Sequence, residues 1–296
     1  TCRYHGATFN TKGDCVAFLG DGADSPACGN ARYKVRSYPA YERNGVVFLW
    51  MGEEEPEDIM TNIPRAPDAL ADGHSFVFTG QIPYSYLNMI DNATDMTHVG
   101  CLHRTCVLFG DQKMGGGVTS EDLGGVGVRG RLEIPGDQNG SKTIEEIEWY
   151  MPGMVFHGRE FMDGILNGLV FWFVPNDAGN FTAWFIGSVD KTKASKRKAK
   201  GIKSKLQAAM QTKLLPNLAC LIGGDAPMQM SQGRVVRWDQ EMLVRGDKAV
   251  VMCRRMLKAQ HKKEMEARKA KGLDPLRHRV KNHSNNEQVL TPILNR

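Results

Sequence analysis

No stretch of the 296 residues approaches the roughly 18 to 20 uncharged apolar residues that a membrane-crossing helix needs, so a spanning helix is excluded. No segment repeats with a fixed period, which removes solenoids and propellers. No Gly-x-Gly-x-x-Gly fingerprint follows a strand-like run, and the glycine-rich FGDQKMGGGVTSEDLGGVG (Phe109 to Gly127) lacks the Gly-Lys-Ser/Thr ending of a phosphate-binding loop. That stretch reads instead as a loop beside a site. The seven cysteines are odd in number and lack framework spacing, so a disulfide scaffold is excluded and a reducing, cytoplasmic setting is expected. The basic runs Lys191 to Lys205 and Lys258 to Lys271 contain no aromatics for stacking bases. They read as solvated faces rather than a nucleic-acid surface.

What is present is ordinary for a soluble globular protein: 41% hydrophobic residues, 24% charged residues and a net charge of +5. Residues 8 to 52 read as short strands and turns, closing on the apolar run Gly45 to Met51. The acidic, proline-bearing EEEPED (Glu53 to Asp58) and the following IPRAPDA mark a linker. A helix is expected from Tyr84 to about Leu102, with Pro83 at its start. Residues 128 to 189 alternate like strands of an antiparallel sheet, with turns at Pro135-Gly136, Asn139-Gly140, Pro152-Gly153 and Pro175 to Gly179. Residues 195 to 215 and 250 to 271 read as helical.

Two short stretches carry metal-binding chemistry. TCRYHG places Cys2 and His5 three positions apart, so a tight loop can aim a thiolate and an imidazole at one centre. DNATDMTHVGCLHRTC places Asp95, His98 and His103 within nine positions. On a regular helix Asp95 and His98 share a face, where a carboxylate can hold one imidazole nitrogen while the other binds metal. His98 and His103 do not share that face, so the helix is expected to end or bulge near Gly100. Two histidines and a carboxylate with open positions form the triad that non-haem ferrous iron uses to activate oxygen. The stretch is not His-Glu-x-x-His and carries no general base of the zinc-hydrolase kind.

On these residues the chain resembles the catalytic, alpha subunit of Rieske-type non-haem iron aromatic ring-hydroxylating oxygenases. Cys2-Arg3-Tyr4-His5-Gly6 resembles the second half of the family's cluster motif, and Asn92, Asp95, His98 and His103 match Asn-x-x-Asp-x-x-His-x4-His. The C-terminal SQGRVVRWDQEMLVRGDKAVVMCRRML resembles the phthalate dioxygenase branch, while DNATDMTH is closer to vanillate O-demethylase. The resemblance implies an α+β fold. A partial, small antiparallel β Rieske domain (1–56) would precede a helix-grip catalytic domain (57–296) whose antiparallel sheet is flanked by helices. It implies a mononuclear Fe(II) held by His98, His103 and Asp225, the last chosen over Asp239, Glu241 and Asp247 for its distance from Gly233. It also implies a [2Fe-2S] Rieske cluster to which Cys2 and His5 supply two of four ligands, so the chain is expected to begin inside the cluster loops and to be unable to load the cluster alone. Asp95 and Asn92 would serve catalysis, Asp95 by bridging His98 to a cluster histidine of a neighbouring subunit. The implied partners are an aromatic substrate, O2, a separate NAD(P)H-dependent reductase with or without a ferredoxin, and two further copies in a homotrimer; no nucleic acid or membrane is expected. The alternative is a non-catalytic helix-grip module that binds a hydrophobic ligand or a metal. His157, among the strands, reads as either a core or a pocket residue, and His261 as part of a solvated basic tail.

Overall fold

The computed structural model describes residues 1–35, 38–43, 45–50, 58, 74–102, 117–135, 142–161, 166–189 and 224–272. The chain divides into two compact units, Thr1–Asn62 and Ile63–Arg296. The expected boundary between 56 and 57 lies outside the described residues.

In the first unit, β1 (Ala7–Phe9) pairs antiparallel with β2 (Cys15–Phe18), and β3 (Ala40–Arg43) pairs with β4 (Val46–Leu49). The β1–β2 turn is held by Asn10, whose side-chain oxygen accepts the amides of Lys12 and Asp14 at 2.9 Å each. An asparagine closing a turn onto its own backbone is the chemistry that favours it there.

The second unit is built on one antiparallel sheet of seven strands: β5 (His74–Ile82), β6 (Val118–Asp122), β7 (Gly127–Pro135), β8 (Lys142–Tyr150), β9 (Met154–Phe161), β10 (Leu166–Asp177) and β11 (Asn180–Val189). Their spatial order is β5-β11-β10-β9-β8-β7-β6. Strands β6 to β11 therefore form a meander, and only β5 joins by a long connection at the β11 edge. Alternation puts Val128, Leu132, Ile147, Trp149, Val155, Phe171, Phe173, Phe181 and Ala183 on one face, where they form the buried core. The glycine-rich stretch expected as a loop contributes edge strand β6, because Val118 to Asp122 pairs residue for residue with Val128 to Leu132. Pro175 lies inside β10, and the hairpin turns at Ala178-Gly179 instead.

Helices cover the core face. They are α1 (Tyr86–Thr94), α2 (Thr97–Leu102), α3 (Asp225–Ser231) and α4 (Lys248–Ala270). α1 packs on β8 and β10, and α4 on β6 and β7. The start of α1 is set by Ser85, whose hydroxyl accepts the Leu87 amide at 3.3 Å, and not by Pro83, which precedes the cap. The single helix expected to Leu102 breaks at Asp95, not at Gly100. Asp95 is extended (φ −77°, ψ 103°), and its Oδ1 accepts the Thr97 amide at 2.7 Å, restarting the helix. Gly100 lies within α2. Gly130 makes room for this junction: a Cβ there would stand 2.9 Å from Met96 Cγ. His261 lies within α4 rather than in a tail, while the helix expected over residues 195 to 215 falls outside the described residues.

Candidate metal centre

The break at Asp95 decides how His98 is presented. His98 Nδ1 lies 2.6 Å from the Asp95 main-chain carbonyl, whereas the Asp95 carboxylate is 3.8 Å away. The backbone, and not the carboxylate as the spacing suggested, therefore takes the Nδ1 proton. That bond orients the ring and makes Nε2 the candidate ligand atom.

Nε2 points at Asp225. The two groups, 127 positions apart in sequence, stand 3.5 Å apart from Nε2 to Oδ1, and Asp225 is only 1% exposed. Two donors about 2.1 Å from one ion at near-right angles are roughly 3 Å apart, so the spacing suits two ligands of a shared cation better than a direct hydrogen bond. Asp225 opens α3, and Pro227 falls in its first turn, where a missing amide proton costs no helical bond. The rivals are occupied elsewhere: Glu241 pairs with Arg254 at 2.6 Å, Asp247 accepts the Val244 amide at 2.6 Å, and Asp239 lies beside Arg237 at 3.4 Å.

His103 lies outside the described residues. Among the described residues no group of three or more His, Cys, Asp or Glu side chains converges as a ready metal cage. His98 and Asp225 supply one imidazole and one carboxylate, and this pair fits a ferrous ion that draws a further ligand from elsewhere. Asn92 is engaged with α3. Its Oδ1 accepts Gln229 Nε2 at 2.9 Å, with both residues buried, and so ties α1 to α3. Gln229 was not anticipated from sequence, because nothing local marks a partner 137 residues away.

A recess of about 770 Å³ opens beside Asp95 and His98, lined also by Cys101, Arg237, Glu241 and Met242. A half-buried polar clamp contributes to its lining. Arg254 forks onto Asp91 (Nε to Oδ1 3.0 Å, Nη2 to Oδ2 2.8 Å), Trp238 donates its indole proton to Asp91 Oδ2 at 2.9 Å, and the Arg254 guanidinium lies 4.7 Å above the Trp238 ring. Burial raises the Asp91 carboxyl to about 6 despite the opposing pull of Arg254 and Trp238.

In the first unit Cys2 and His5 occupy one exposed loop. The backbone amides of Tyr4 and His5 hold the Cys2 thiol below its ordinary value. Amides directed at a thiolate stabilise the form that binds iron. These two residues fit half of a two-iron cluster's ligand set.

An antiparallel sheet covered on one face by helices is a fold this chain shares with solved terminal oxygenases. The terminal oxygenase of carbazole 1,9a-dioxygenase from Novosphingobium sp. KA1 superposes with a TM-score of 0.62 at 22% identity, covering 86% of this chain and 74% of that one. No family model matches the chain. Among curated proteins, the toluene-4-sulfonate monooxygenase system iron-sulfur subunit TsaM1 of Comamonas testosteroni is 33% identical over 109 residues, 35% of this chain and 28% of that protein. The oxygenase component of dicamba O-demethylase of Stenotrophomonas maltophilia is 29% identical over 106 residues, 35% of this chain and 29% of that protein. The relatives of this chain are thus Rieske oxygenase subunits, and the matched segments span under a third of their lengths. No helix among the described residues is long and apolar enough to cross a membrane.

Proposed function

We propose that the chain is the catalytic part of a terminal oxygenase component, which uses O2 and electrons from a separate reductase, with or without a ferredoxin, to hydroxylate or oxidatively O-demethylate an aromatic substrate. The observation that carries the reading is the meeting of His98 Nε2 and buried Asp225 at 3.5 Å on a fold shared with terminal oxygenases. In this reading residues 1–56 belong to a Rieske domain and 57–296 to the catalytic domain. His98, His103 and Asp225 hold Fe(II), and Cys2 and His5 are two ligands of a [2Fe-2S] cluster.

Bound ferrous iron supplies the site for oxygen activation beside the substrate. The chain's own residues do the rest. The Asp95 carbonyl holds the proton on His98 Nδ1, so the ring stays in one tautomer with Nε2 available. Asp225, enclosed at the start of α3, would offer a carboxylate oxygen to the ion. The aromatic inner face of the sheet, including Phe171, Phe173 and Phe185, excludes water from the layer between sheet and helices. Asp95, at 27% side-chain exposure, faces the recess where the histidine-bearing cluster loop of a second copy would seat, and a closed ring of three copies would give every centre such a neighbour.

The test uses the Fe(II)-loaded protein with ascorbate as the direct electron donor and a methoxybenzoate, and follows oxygen uptake, product and iron content. Wild type is expected to consume oxygen in an iron-dependent way. His98→Ala and Asp225→Ala are each expected to lose bound iron and turnover, and retention of both by either variant refutes the assignment.

A further inference from the structure

Resting on the reading above, we infer that Asp91 and Arg254 are positioning residues for the metal-binding imidazole. A chain of contiguous bonds runs from the long helix to the ion's place. Arg254 on α4 grips the Asp91 side chain through two bonds, at 3.0 and 2.8 Å. The Asp91 carbonyl accepts the Asp95 amide at 2.9 Å, closing the last turn of α1. The Asp95 carbonyl accepts the His98 Nδ1 proton at 2.6 Å, and Nε2 of the same ring looks at Asp225. Each link fixes the next peptide, so the guanidinium on α4 sets where the imidazole points.

The geometry goes beyond generic helix packing in two respects. The fork is planar and bidentate, a shape only arginine supplies, and it orients the carboxylate as well as attracting it. The same guanidinium also binds Glu241 at 2.6 Å and stacks on Trp238, both in the segment that rims the recess. The rim and the helix carrying Asp91 are therefore joined through one side chain. Partners of metal-bound histidines set ligand affinity by 10- to 100-fold when removed. Arg254 acts one step further back, and about tenfold is expected.

The experiment titrates Co(II) into the full chain and reads both affinity and the visible ligand-field spectrum, with circular dichroism and melting as fold controls. Asp91→Asn, which keeps shape and an acceptor for Trp238, is expected to weaken Co(II) binding about tenfold and to shift the spectrum. Arg254→Lys, which keeps the charge and loses the fork, is expected to do the same. Trp238→Phe, which removes one donor only and preserves packing, is expected to weaken binding two- to threefold and serves if the first two variants do not fold. Wild-type affinity and spectrum in all folded variants overturn the positioning role while leaving the metal centre in place. A wild type that takes up no Co(II), or a His98→Ala variant that binds as well as wild type, overturns the metal centre itself and the inference with it.

Discussion

Two stretches of this chain present metal-type donors, and they are built in opposite ways. Cys2 and His5 sit on an exposed loop whose geometry is set by a few backbone bonds, among them Gly6 N to Cys2 O at 3.0 Å and Gly20 N to His5 O at 2.9 Å. His98 and Asp225 come from two helices, with a helix break, a buried amide pair and a half-buried ion pair behind them. In the proposed reading the first arrangement would rely on a bound group to complete it. The second is organised by its own packing, because the hydrogen-bonded polar groups behind it are expensive to displace.

The largest expected effect breaks the helical centre directly. Asp225→Ala removes the buried carboxylate and is expected to lower Co(II) affinity more than a hundredfold by titration. Cys2→Ser is expected to leave that affinity unchanged. Equal losses in the two variants would erase the distinction between the stretches.

A smaller effect is expected where burial meets charge. Asp91 is raised from its ordinary range to about 6. A raised acid binds its proton more tightly folded than unfolded, so its contribution to stability is full below the unfolded value and is lost as pH rises through about 6. Arg254 offsets that loss. Arg254→Ala is expected to cost about 3 kcal/mol at pH 7, where an ionised carboxylate is left enclosed. The cost should shrink toward pH 5 as Asp91 takes up a proton. Chemical denaturation of both proteins at the two pH values measures this, and a pH-independent difference would remove the role assigned to the Asp91 charge.

A third effect, smaller again, concerns the way α1 begins. Ser85→Ala removes the hydroxyl that accepts the Leu87 amide, and a lost cap costs about 1 kcal/mol. Because Ser85 is buried and far along the helix from Asp95, melting should fall while the Co(II) spectrum stays as in wild type.

These differences also separate what the sequence could convey from what it could not. Alternation in residues 128 to 189 exposed the meander, since period-2 patterning is a local property of each strand. Asp95 and His98 stood out by spacing, yet the spacing argument assumed an unbroken helix and so gave the His98 proton to the wrong acceptor. The signal for the break was present in Asp95-x-Thr97, a side chain capping its own backbone two residues on. Asp225 entered through resemblance, and its approach to His98 arises from topology. Gln229, Trp238 and Arg254 were invisible for the same reason: their partners on α1 are 137, 147 and 163 residues away, and no periodicity encodes such pairs.

The smallest structural effect is expected at Cys2, and it sharpens the contrast by chemistry instead of by stability. Its thiol is exposed and held below its ordinary value by the Tyr4 and His5 amides, whereas burial pushes the Cys253 thiol on α4 upward. Reaction with iodoacetamide requires thiolate and access, and Cys2 is favoured over Cys253 on both counts. In the native protein, peptide mapping after brief alkylation should find Cys2 modified and Cys253 untouched. Melting temperature and Co(II) binding at the helical centre should be unchanged. A shift in either on Cys2 alkylation would show the two stretches to be coupled within one chain, and their contrast in construction would then no longer imply independence.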